Sequence, residues 1–115
     1  MIRWGILVSM KSIEYNKLVR DKIPEIIEKA GKQAIVEKVG ESQLIRLLNK
    51  KLEEELTEYL ESGNVEELAD LVEVVYGILD HKGVSIEEFE KIRREKNEKR
   101  GAFREGLVLI KVIEE

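Results

Sequence analysis

The chain of 115 residues has no cysteine, one histidine and one proline. The missing cysteines exclude disulfides, thiolate metal sites and cysteine nucleophiles. A lone His81 leaves a histidine-rich zinc site or a Ser-His-Asp triad poorly supported. No apolar run approaches the length of a membrane span, and the hydrophobic stretch at the start is too short for a secretory signal, so a cytoplasmic protein without a membrane partner is expected. A net charge of -4 argues against a general nucleic-acid binder. Any metal would be a hard cation held by oxygen.

What is present fits one globular domain, because 43% hydrophobic residues are enough for a modest core beside 38% charged ones. Residues 2–8 read either as a short strand or, with Met10 as an alternative start, as an extension, so residues 1–14 are set apart from a domain over 15–115. A helix is expected within residues 18–30, opened by Pro24 and closed by Gly31. Residues 33–39 read as a short strand closed by Gly40, and residues 106–113, rich in Val, Ile and Leu, as another. Three longer helices are expected over residues 42–61, 65–81 and 85–100. Asn64 with Glu67, and Ser85 with Glu88, have the form of capping boxes. The short turn at residues 62–64 makes an antiparallel helical hairpin the natural arrangement.

Two acidic pairs stand out on that hairpin. Leu44, Leu48, Leu52, Leu56, Tyr59 and Leu60 form a stripe at steps of three and four, and Glu55 falls within it. Glu58 lies at its edge, about 60° further round at about 100° per residue. On the next helix Glu67 shares a face with Leu71, Val74 and Ile78, flanked by Asp70. Carboxylates on apolar faces lose several kcal/mol or become protonated unless a cation meets them. The turn brings Glu58 close to Glu67, so four carboxylates converge. Mg²⁺ or Mn²⁺ is the usual neutraliser of such a set. Solvated surface acids are the plainer alternative.

Basic residues point the same way. The stripe Ile86, Phe89, Ile92 continues at the same spacing into Lys96 and Arg100, able to lay their stems on apolar surface and reach a phosphate. Ordinary snorkelling at a helix end accounts for them equally. Lys17, Arg20, Asp21 and Lys22 before Pro24 carry the same two meanings. Metal-binding acids beside phosphate-binding bases suggest phosphoryl chemistry.

Four segments together, YNKLVRDKIPEII at 15–27, KLEEELTE at 51–58, EELADL at 66–71 and KNEKRGAF at 96–103, resemble the MazG-like nucleoside triphosphate pyrophosphohydrolases. The resemblance is to their small single-domain, phosphoribosyl-ATP pyrophosphohydrolase-like branch, and covers about residues 15–109, most of the chain. It implies a mainly α, all-α MazG-like helical bundle around a central antiparallel hairpin, with one or two short accessory strands. It also implies that Glu55, Glu58, Glu67 and Asp70 bind Mg²⁺, with Glu54 an accessory ligand or water-orienting base. Lys96 and Arg100 would face the phosphates as catalytic cations, and Arg20 and Lys22 would form an N-terminal phosphate-binding motif. The gap between Glu58 and Glu67 is shorter than usual in that family. A homodimer or higher oligomer is implied, which would bury the broad apolar face of the helix at 65–81.

The activity expected from the resemblance is Mg²⁺-dependent hydrolysis of a nucleoside triphosphate, canonical or non-canonical, to the monophosphate and pyrophosphate. The alternatives are the same chemistry on phosphoribosyl-ATP in histidine biosynthesis, a non-catalytic helical oligomerisation module, and a nucleic-acid contact through residues 91–104. No residue identifies a base. Tyr59, Tyr76, Phe103 and Trp4 are each able to stack on one, but fit core or interface better.

Overall fold

In the computed structural model, which describes residues 11–115, the described residues form four α-helices: α1 (Ile23–Lys29), α2 (Glu41–Ser62), α3 (Val65–His81) and α4 (Ile86–Arg100). The proposed strand at residues 2–8, and Trp4 and Met10 with it, lie outside the described residues.

Helix boundaries follow local chemistry. Pro24 sits in the first turn of α1, where a missing N–H costs nothing. Gly63 ends α2 in the left-handed region, φ +69°, and its N–H donates to the Tyr59 carbonyl at 2.7 Å. Ser85 caps α4 by accepting from the Glu88 N–H at 3.1 Å. Asn64 does not complete the expected capping box: its side chain makes no cap, and only its carbonyl accepts from the Glu67 N–H at 3.1 Å.

The hairpin of α2 on α3 is the one extensive packing unit among the described helices, and α4 touches α3 only lightly. Leu48, Val74 and Leu79 are its buried apolar residues. Close approach there depends on Gly77, where an added Cβ would stand 3.0 Å from Leu48 Cδ2.

Neither proposed strand forms among the described residues. Ile35 and Val36 are 85% and 63% exposed, and Leu107 and Ile113 are 84% and 79% exposed, and neither segment has a ladder partner among the described residues. Val, Ile and Leu content marks a segment that pairs well if a partner strand is beside it, and the described residues supply none. The molecule is correspondingly open. Its radius of gyration is 21.1 Å, against about 13 Å for a compact domain of this length.

Candidate metal and phosphate site

The hairpin converts matched helical spacing into a cluster. Glu55, on the inner face of α2, is 6% exposed and is the buried charged residue of the described chain. It belongs to two sets of carboxylates whose oxygens lie within 4.8 Å of one another: Glu54, Glu55 and Glu58 on α2 alone, and Glu55 with Glu67 and Asp70 across the hairpin. Of the four acids expected to meet, Glu55, Glu67 and Asp70 come together across the hairpin, and Glu58 joins Glu55 in the set on α2. Glu58, Glu67 and Asp70 are half-buried.

Electrostatics record the crowding. Burial first, then hydrogen bonding and repulsion from Glu58, push the Glu55 carboxyl above its ordinary value, and Lys51 only partly opposes this. Glu67 is raised as well, by desolvation and then by Glu58 and Asp70. Lys51 Nζ stands 3.5 Å from Glu55 Oε1, but Glu55 Oε2 is buried and has no hydrogen-bond partner. A buried carboxylate oxygen with no partner is costly unless a donor or a cation meets it. Oxygen-only donors at this spacing suit a hard divalent cation.

Cations of the chain already lie against the rim. Arg20 Nη2 donates to Asp70 Oδ1 at 2.6 Å, and Lys17 Nζ to Glu54 Oε1 at 2.9 Å. Lys51 Nζ donates to the same Glu54 oxygen at 3.4 Å. Glu54, with Lys17 as the main cause, titrates below the ordinary carboxylate value, and Lys17 is raised in return. Glu54 is thus the cation-paired member of the group, its carboxyl lowered while that of Glu55 is raised.

No family model, curated protein or solved structure matches the chain. The site is therefore described by its own geometry. A groove of about 450 Å³ opens beside the acids, floored by Leu44, Leu48 and Val74 and bordered by Arg20, Lys22 and Lys51. Arg20 and Lys22 line this groove. Lys96 and Arg100 do not: both are exposed on α4, and neither lines the groove. The periodicity placing them on one face with Ile92 is real, but that face is itself open, with Ile92 51% exposed.

Lys51 is the functional candidate that sequence reasoning passed over. Its signal was available, because Lys51 precedes Glu55 by four residues and the two share a face of α2. Lys17 was noticed only as part of a basic run, since its pairing with Glu54 spans 37 residues and depends on how the chain before α1 folds back over the hairpin.

Proposed function

We propose that the chain is a Mg²⁺-dependent nucleotide pyrophosphohydrolase of the MazG-like kind, cleaving a nucleoside triphosphate between the α and β phosphates to the monophosphate and pyrophosphate. The observation that carries this is Glu55: buried, shared by both carboxylate sets, and left with an unpartnered Oε2. Glu55, Glu58, Glu67 and Asp70 would hold the ion, Mg²⁺ or Mn²⁺. When bound, it supplies charge neutralisation for the phosphates and a water of lowered pKa. Glu54, kept ionised by Lys17 and Lys51, accepts a hydrogen bond from the attacking water and orients it. Arg20, Lys22 and Lys51 border the groove and offset charge on the leaving pyrophosphate. Lys96 and Arg100, outside the groove, are left without that role in the single chain.

The same proposal includes self-association. Leu56 and Leu60 on α2, with Leu68 and Val72 on α3, form exposed apolar stripes on the hairpin, between 37% and 72% exposed. The chain exposes 11177 Å², whereas a compact monomer of its mass, 13.3 kDa, would expose about 6,500 Å². A second copy over these stripes would cover part of that surface. No described helix is long and apolar enough to cross a membrane, and nucleotide substrates place the proposed activity in the cytoplasm.

The test is a pyrophosphate-release screen with Mg²⁺ over canonical and damaged nucleoside triphosphates and phosphoribosyl-ATP. Release of pyrophosphate from at least one of them, abolished by Glu55→Gln, is expected. A non-catalytic oligomerisation module would release none and would show no Mg²⁺-dependent thermal shift.

A further inference from the structure

The chain leading into α1 lies across the hairpin and is fastened to the acid cluster at two points. Asn16 takes up a left-handed backbone conformation, φ +48°, which Asn tolerates better than most residues. Lys17 Nζ then meets Glu54 on α2, and Arg20 Nη2 meets Asp70 on α3. The segment is anchored beyond them, since the Arg20 carbonyl accepts from the Ile23 N–H at 3.0 Å at the start of α1. One short segment therefore bridges both helices of the hairpin with its own cations.

Those cations occupy opposite edges of the carboxylate cluster. Asp70 belongs to the cross-hairpin set with Glu55 and Glu67, and Glu54 to the set on α2. A guanidinium at 2.6 Å from Asp70 Oδ1 takes lone-pair directions that a metal ion would also need. We propose that residues 17–20 form a cation strap that balances the acid cluster in the metal-free protein, and that Arg20 is a displaceable placeholder: a divalent ion takes Asp70 from it and frees its guanidinium for the phosphates of the substrate. The strap rests on the functional reading above, and adds the order of events. Arg20 competes with the metal and cooperates with the nucleotide. A planar guanidinium suits both duties, because its paired N–H groups match a carboxylate and a phosphate alike. Lys17, on Glu54, keeps the strap's other end in place, with the Tyr15 ring 5.9 Å from its Nζ.

The competition has a sign that a positioning role lacks. If Arg20 merely orients Asp70 for the metal, removing it weakens metal binding; if it stands in for the metal, removing it strengthens binding. The experiment is calorimetric titration of Mn²⁺ alone into the full chain and into Arg20→Gln and Arg20→Ala, with no nucleotide present. Both variants are expected to bind Mn²⁺ about two- to fivefold more tightly than the parent, the range that an exposed ion pair can contribute. A second measurement is amide hydrogen exchange over residues 15–22 in the parent chain, which should quicken on addition of Mn²⁺ alone. Unchanged or weaker Mn²⁺ binding in both variants, or slower exchange with Mn²⁺, would overturn the strap while leaving the metal site intact. Absence of Mn²⁺ binding in every form would overturn the functional reading and the strap together.

Discussion

Lys51 Nζ stands 3.5 Å from Glu55 Oε1, one helical turn away, while the other oxygen of the same buried carboxylate has no partner. Half of this carboxylate is neutralised by the chain and half is not. Lys51 keeps Glu55 from being wholly uncompensated, while burial and then the repulsion of Glu58 and Asp70 raise its carboxyl above the ordinary value. Such a residue costs the metal-free fold something, a cost that the proposed divalent cation would offset.

Replacing Glu55 by Gln removes the buried charge while keeping its shape. The variant should lose pyrophosphate release and any Mg²⁺-dependent rise in Tm, yet be as stable as the parent without metal, or more so by about 1 kcal/mol. Thermal unfolding with and without Mg²⁺ checks both halves. A loss of several degrees in the metal-free variant would mean that Glu55 is held by partners that support the fold.

The pH dependence of that comparison has a definite sign. Glu55 titrates above its ordinary value of 4.5 in the folded chain. A carboxyl raised on folding contributes most below its unfolded pKa, and loses that contribution as pH climbs to the raised folded value. Without metal, the stability of the parent relative to Glu55→Gln should therefore fall as pH rises from 4.5, then level off. Glu54 has the opposite sign, since Lys17 lowers it, and its contribution is lost only as pH falls below the ordinary value. Saturating Mg²⁺ should reverse the first trend, because the ion replaces the proton. Unfolding of both proteins across a pH series, with and without Mg²⁺, measures this.

Much of this arrangement was legible in the residues. The step of three and four that runs through Leu52, Glu55 and Tyr59 placed a carboxylate on an apolar face, and helical geometry makes that inference nearly independent of the rest of the chain. The helix at Val65–His81 and the end of α4 at Arg100 were marked by the same periodicity and by a following Gly at the latter. The segments at 33–39 and 106–113 were misjudged because strand character records what a segment would do beside a partner, and pairing is a tertiary fact. Lys96 and Arg100 share that lesson. Their face is continuous with Ile92, but which neighbour a face meets is not written in its period.

Gly77 tests the hairpin independently of the chemistry. Alanine there gains about 0.8 kcal/mol of helix propensity, but its Cβ would crowd Leu48 Cδ2 at 3.0 Å. Displacing a buried leucine costs about 1–3 kcal/mol, so Gly77→Ala should be net destabilising by up to about 2 kcal/mol, and Gly77→Val more so. Chemical denaturation of the two variants decides it, and a stabilised Gly77→Ala would show that Leu48 relaxes freely.

The light contact of α4 with α3 predicts that its cap acts locally. Ser85→Ala removes the hydrogen bond to the Glu88 N–H, a loss of about 1 kcal/mol of helix stability. Amide exchange over Ile86–Arg100 should quicken severalfold, while the Tm of the hairpin stays nearly unchanged. A matching fall in the global Tm would show that α4 and the hairpin unfold as one unit.

The proposed role of the carboxylates around Glu55 is to hold a divalent ion for cleavage between the α and β phosphates. Its most direct measurement is the phosphorus product spectrum of the full chain incubated with nucleoside triphosphates or phosphoribosyl-ATP and Mg²⁺, followed by ³¹P resonance. The account predicts equal amounts of monophosphate and pyrophosphate, with no orthophosphate, and no reaction when Mg²⁺ is chelated or in Glu55→Gln. Orthophosphate with a diphosphate product, or unaltered substrate throughout the panel, would contradict it.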